Sequence, residues 1–168
     1  MNRFAKTILC CYNAIPTMVK KVDRLVYSKA VKSHSNSYGH GNTLYQMDRI
    51  VSLLNVKNDL LLMRKITDKA LACLPVKQRV LIVSKFFHNM TCEQIQQAVN
   101  VSMRTLFRQI NASVNSFASA LIIEGYDREW FISTYLSERW IKHIYNTCCE
   151  KQGLCVQLPQ EQSILESA

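Results

Sequence analysis

Glycine and proline are scarce in this sequence, four and three of 168 residues. Tight turns depend on the backbone geometry of these two residues, so a fold rich in hairpins is excluded. No segment alternates apolar and polar residues over a strand's length, no segment repeats, and no apolar run approaches the roughly 20 residues of a membrane-spanning helix. A glycine-rich phosphate loop and a nucleophile-elbow pattern are both missing, and the 12 acidic residues are thinly spread. His88 and His143 have no acidic or cysteine partner that spacing alone would join to them. The expectation is therefore no enzyme, no catalytic residue and no cofactor.

Cysteine is present but disorganised. The seven cysteines are odd in number, include the adjacent pairs Cys10-Cys11 and Cys148-Cys149, and show no regular spacing. A disulfide framework is not expected, and the two-residue gap of zinc-binding cysteine pairs does not occur. His143 with Cys148, Cys149 and Cys155 is a conceivable ligand set, as are His34 and His40 in a polar loop. Cysteine as a small apolar residue is the commoner case, and no metal site is expected. A reducing cytoplasm follows as the expected location. The opening MNRFAKTILCCYNAIPTM superficially resembles a signal peptide, but Asn13 and Pro16 interrupt it.

What is present is helix-forming and basic. The net charge of +9 is unevenly placed. Residues 1–32 carry Arg3, Lys6, Lys20, Lys21, Arg24, Lys29 and Lys32 against Asp23 alone. Residues 67–123 carry Lys69, Lys77, Arg79, Lys85, Arg104 and Arg108 against Asp68 and Glu93, and beyond Ile123 acids outnumber bases. A basic body with an acidic tail suits a phosphate-binding surface, although a merely solvated basic face is equally ordinary.

Pro16 opens a helix whose apolar face is Val19, Val22, Leu25, Val26 and Ala30, with Lys20, Lys21, Arg24 and Lys32 off that face. Residues 33–42 read as a loop. Thr43 then caps a helix with Leu44, Met47, Ile50, Val51 and Leu54 as its expected buried stripe. Residues 55–59 form either a break or a bend before the helix continues towards Pro75. The pattern divides the chain into a basic helical segment (1–66), a helix-turn-helix segment (67–125), an aromatic helix (126–153) and a disordered tail (154–168). The expected fold class is all-α, a helical bundle.

The helix-turn-helix expectation rests on three consecutive helices. Pro75 starts the first, with Val80, Leu81 and residues 83–87 as its apolar content, and Asn89 ends it. Thr91 caps the second, with Ile95 and Val99 inward and Asn100 in the turn, a residue that tolerates left-handed backbone angles. Ser102 caps the third, with Leu106, Ile110 and Val114 inward. Two short helices locked by apolar inner faces across a tight turn form the unit that places a second helix in the major groove. Its candidate contact residues are Ser102, Met103, Arg104, Thr105, Phe107, Arg108 and Gln109.

The stretch 71–121 resembles region 4 of bacterial sigma-70-type factors. The shared features are Leu74-Pro75, Lys77-Gln78-Arg79 with an apolar helix through Phe87, Thr91 with Gln94-Ile95, and Val101-Ser102 with Thr105-Leu106. It departs from that pattern in having Gln96 where a small residue lets helices approach, Asn100 for a turn glycine, and Phe107 in a slot that is often basic. The resemblance implies a transcription regulator that binds double-stranded DNA and acts with RNA polymerase. The segment before it lacks the aromatic, acidic pattern of a sigma factor's polymerase-clamp domain. The alternative is a protein-interaction module that binds polymerase or another regulator without reading DNA. A homodimer is expected as well, built by the aromatic helix after Asp127 (Trp130, Phe131, Tyr135, Trp140, Tyr145), because one such unit spans only a few base pairs; packing of these aromatics inside the same chain is the alternative.

Overall fold

A computed structural model describes residues 2–35 and 40–150, with side chains described for all of these except 32–35, 40–43, 149 and 150. Every regular element among the described residues is helical, so the protein is all-α. In chain order the helices are α1 (Arg3–Cys11), α2 (Ile15–Ser35), α3 (His40–Ala72), α4 (Val76–Ile82), α5 (Cys92–Val99), α6 (Met103–Ile123), α7 (Arg128–Tyr135) and α8 (Arg139–Glu150). No helix among the described residues is long and apolar enough to cross a membrane. The expected loop at 33–42 is narrower than its composition suggests, because α2 runs to Ser35 and α3 begins at His40. The expected tail at 154–168 lies outside the described residues.

Two compact units divide the chain, one made of Met1–Asn13 with Ile66–Ala168 and the other of Ala14–Lys65. In the second unit an ion pair between Lys57 and Asp23 (2.6 Å) ties α3 to α2. Val22 is buried on α2 as its periodicity requires, with Val19, Leu25 and Val26 half-buried, whereas Ala30 is exposed. α3 runs through the polar stretch 55–59 without a break. Its expected stripe is largely outside: Leu44 is 72% exposed, Met47 58%, Val51 53% and Leu54 40%. Apolar residues occupy more of the α3 circumference than one inward face can accommodate. Leu60 and Met63 are buried, and Ile50, Leu53 and Val56 half-buried, leaving the other face in solvent.

The first unit is built around α1, a helix that the sequence reading does not anticipate. Seven of its nine residues are buried: Phe4, Ala5, Lys6, Thr7, Ile8, Leu9 and Cys11. It packs against α6 and α8. Its residues do repeat at helical steps, with Arg3, Lys6, Thr7 and Cys10 on one side and Phe4, Ile8 and Cys11 on the other, but Asn2 supplies no side-chain cap to announce it and the polar side is itself buried or half-buried. Tyr12 stacks on Phe87 at 4.1 Å between ring centroids, and its hydroxyl donates to Asp68 (2.6 Å).

After α4 the chain widens into a π-helical turn, Val83–Phe87, in which the His88 amide reaches the Val83 carbonyl (2.9 Å). Widening frees carbonyls from the regular ladder. The Asn13 side-chain amide donates to one of them, that of Phe87, at 2.7 Å. Asn89, at φ +52°, ends the turn. Arg79 donates from its guanidinium to the carbonyl of Leu74 (3.2 Å), so one of the basic residues near Pro75 caps the C-terminus of α3.

The aromatic segment after Asp127 is two helices rather than the single one expected. Asp127 caps α7 by accepting from the Trp130 amide (2.8 Å), and the chain breaks after Tyr135. Trp140 lies nine positions beyond Phe131, which at about 100° per residue is half a turn out of phase on a straight helix. The break brings both inside, with Phe131 and Trp140 buried together with Tyr135, Ile141, Ile144 and Tyr145. Phe131 stands 6.2 Å from Phe4 and 5.8 Å from Tyr145. The aromatic surface on which the sequence reading places self-association is thus largely interior to one chain, and Trp130 alone of its two tryptophans is half-exposed.

Candidate nucleic-acid interface

The helices that carry the candidate contact residues are closed by local chemistry. At the start of α5 the Thr91 hydroxyl accepts from the Gln94 amide (3.2 Å) while the Gln94 side chain accepts from the Thr91 amide (2.9 Å), a reciprocal capping box. α5 ends at Asn100 with φ +52° and ψ +52°, the left-handed geometry for which its side chain suits it. Two residues later Ser102 caps α6 by accepting from the Thr105 amide (3.2 Å). The link between the helices is therefore only three residues long, a sharp reversal fixed at both ends.

Apolar contacts hold the pair. Ile95 on α5 is buried, as are Leu106, Ile110 and Val114 on α6, and α5 and α6 pack together. Val99, expected inside, is 40% exposed, since the last turn of α5 has already left the contact. α4 packs on α6 as well, completing a three-helix arrangement. The distal half of α6 enters the core of the same unit through Phe117, Ala118 and Leu121. Gly125, at φ +88°, closes α6: its amide reaches the Ile122 carbonyl and that of Tyr126 the Leu121 carbonyl, both at 2.9 Å.

The named contact residues divide into two groups. Arg104, Phe107 and Arg108 are exposed and recur at steps of three and four, so they share the face of α6 opposite Leu106 and Ile110. Asn111 and Asn115 continue that exposed face, and neither figures among the residues chosen from the sequence. Their signal was the same three-to-four spacing, carried one turn beyond the first two. Met103, Thr105 and Gln109 are half-buried on the flank. Ser102 is exposed, but its hydroxyl is committed to capping, since it also donates to the Thr105 hydroxyl (2.9 Å). The amides that remain available at this end are those of Met103 and Arg104, which have no intrahelical acceptor, since Ser102 takes that of Thr105.

Charge around the interface is mixed. Lys77 is exposed, whereas Lys85 is half-buried and donates to the Cys92 sulfur (3.3 Å). The Glu93 carboxyl is held below the usual carboxylate range by hydrogen bonds from its own backbone amide and the Thr91 hydroxyl, with the Lys85 ammonium adding to the effect. It therefore places a negative charge at the start of α5. Lys69 pairs with Glu124 at the far end of α6, and that carboxylate raises the Lys69 ammonium above its ordinary value by hydrogen bonding and charge.

Among the described residues no group of three or more His, Cys, Asp or Glu could hold a metal ion; Cys155 and the side chains of His34, His40 and Cys149 lie outside them. Comparison with known protein families, with curated proteins and with solved structures found no match to this chain.

Proposed function

We propose that this chain is a DNA-binding transcription regulator that reads duplex DNA with α6, in the manner of the sigma region 4 units its sequence resembles. The observation that supports it is the outward face Arg104, Phe107, Arg108 and Asn111 on a helix whose opposite face is locked to α5 across a three-residue link. Arginine can pair bidentately with guanine, asparagine with adenine, and a phenyl ring can meet a thymine methyl group. The free amides at the start of α6 suit a phosphate. Acting with RNA polymerase in the cytoplasm belongs to the same proposal.

Selection of binding duplexes from a random pool, followed by mobility shift, tests it. Arg104→Ala and Arg108→Ala should each weaken binding to the selected site by about 1–3 kcal/mol and relax preference at one base position. Failure to bind any duplex in a salt-dependent way would count decisively against DNA reading.

The second reading, a protein-interaction module that binds polymerase or another regulator, draws on apolar exposure. Val76 is 69% exposed and Val80 53%, both on α4. Phe107, 41% exposed, would serve such a contact as well as a thymine. Capture of purified polymerase by a chain carrying both arginine substitutions would favour this reading.

Pairing of two copies is also part of the proposal, and α3 is the element best suited to it. Leu44, Met47, Val51, Leu54 and Leu61 are all exposed, and their steps of three, four, three and seven are those of a two-stranded coiled-coil seam. Asn58 occupies the remaining core-type position, where a polar residue favours alignment with its own copy.

A further inference from the structure

α1 and α8 bring together a small group of side chains that DNA reading does not use. Lys6 is 4% exposed, and its ammonium group has no hydrogen-bond partner. A buried, unpaired cation is costly, and it calls for an anion nearby. Cys10 lies one turn further along α1, on the same face as Lys6. Across from them on α8, which packs on α1, Cys148 is buried, with the Cys10 thiol and the Thr7 hydroxyl near enough to act on its sulfur.

We propose that Cys148 and Cys10 form a redox-active dithiol, in which Cys148 is the peroxide-sensitive thiolate, Lys6 its buried counter-ion and Cys10 the resolving thiol. The Cys148 thiol is brought down to about 7, first by the hydrogen bond from Cys10 and then by the Lys6 charge, the Thr7 hydrogen bond and the Arg3 charge, against the opposing effect of burial. The charged and titratable groups facing it are Arg3, Lys6, Cys10 and Cys11, all from α1. Cys11 is fully buried, and burial pushes its thiol up, so it stays protonated. Cys10 is half-exposed and gives small oxidants a way in.

The chemistry takes a hydroperoxide as oxidant. The Cys148 thiolate attacks the terminal peroxide oxygen, the O–O bond breaks, and the departing alkoxide or hydroxide takes up a proton, leaving a sulfenic acid on Cys148. The Cys10 sulfur then attacks the Cys148 sulfur, the S–O bond breaks, and water leaves with the thiol proton. Two thiols and one hydroperoxide give one disulfide, one alcohol (or water) and one water. The disulfide forms across the packed face of α1 and α8, with the two sulfurs closing to about 2 Å.

The test uses the full chain and hydrogen peroxide, with mass spectrometry as the readout. Trypsin releases Cys10 with Cys11 and Cys148 with Cys149, so mapping is done in a Cys11→Ala, Cys149→Ser background. The expected product is the loss of two hydrogens and a crosslink between the two peptides. Its rate should rise with pH through an inflection near 7. Lys6→Met should raise that inflection and slow the reaction roughly twofold at pH 7, the lower thiolate fraction being partly offset by a more nucleophilic sulfur; Lys6→Arg should restore it. Cys10→Ser should stop the reaction at a dimedone-trappable sulfenic acid on Cys148. Circular dichroism confirms that each variant is folded, and an unfolded Lys6→Met leaves the wild-type profile and Cys10→Ser to decide. The proposal is overturned by no crosslink, by a crosslink through another pair, or by a folded Lys6→Met with an unchanged pH profile.

Discussion

Single residues decide the turns here, and their geometry makes the sharpest predictions. Asn100 holds a left-handed conformation between α5 and α6 that costs most side chains about 1–2 kcal/mol. Asn100→Ala should destabilise the protein by about 1 kcal/mol in urea unfolding, whereas Asn100→Gly should be neutral or slightly stabilising. Ser102→Ala removes the α6 cap and should cost about 1 kcal/mol, with a further loss of DNA affinity if the start of α6 meets phosphate. Glu93 gives the pH dependence. Its carboxyl is depressed in the folded protein, so its contribution is fully present above the ordinary glutamate range and fades as pH falls through and below it. Glu93→Gln should therefore flatten the acid limb of a melting-temperature profile between about pH 5 and 3 and leave the neutral limb unchanged. Thr91, Asn100, Ser102 and Asp127 were all legible from sequence, because capping and left-handed turns need particular side chains at single positions.

Whole elements were legible only where one face is buried and the other wet. Leu106, Ile110 and Val114 disclose α6 because solvent on the opposite face enforces polar residues there. α1 carries a helical period, but the stretch is short, uncapped and similar to the opening of a signal peptide, so the period alone did not mark it. The break between α7 and α8 was hidden because each helix keeps a regular pattern of its own, out of phase with the other. On α3 the apolar spacing was evident, but which side it would cover was not, because two apolar faces compete. If the exposed face pairs with a second copy, Val51→Lys with Leu54→Lys should yield monomers in sedimentation at micromolar concentration and leave helix content unchanged. Persistence of a dimer in that variant would remove α3 as the seam.

For the molecule as a whole, the first helix is joined to the last described one by groups far apart in the chain. The Arg3 guanidinium donates to the Tyr145 carbonyl (2.9 Å) and lies 3.8 Å above the Tyr145 ring. Truncation there should be severe. Ile8→Ala, at a fully buried site, should cost about 2–5 kcal/mol, measured by denaturant unfolding with an unchanged slope. Order of synthesis follows from the same closure. α1 leaves the ribosome well before α8 exists, and at about 5–20 residues per second it waits roughly 7–30 s for its packing partner. During that interval Phe4, Ile8 and Leu9 have no finished core to enter. The nascent chain therefore carries α1 with its apolar face uncovered until α8 is made.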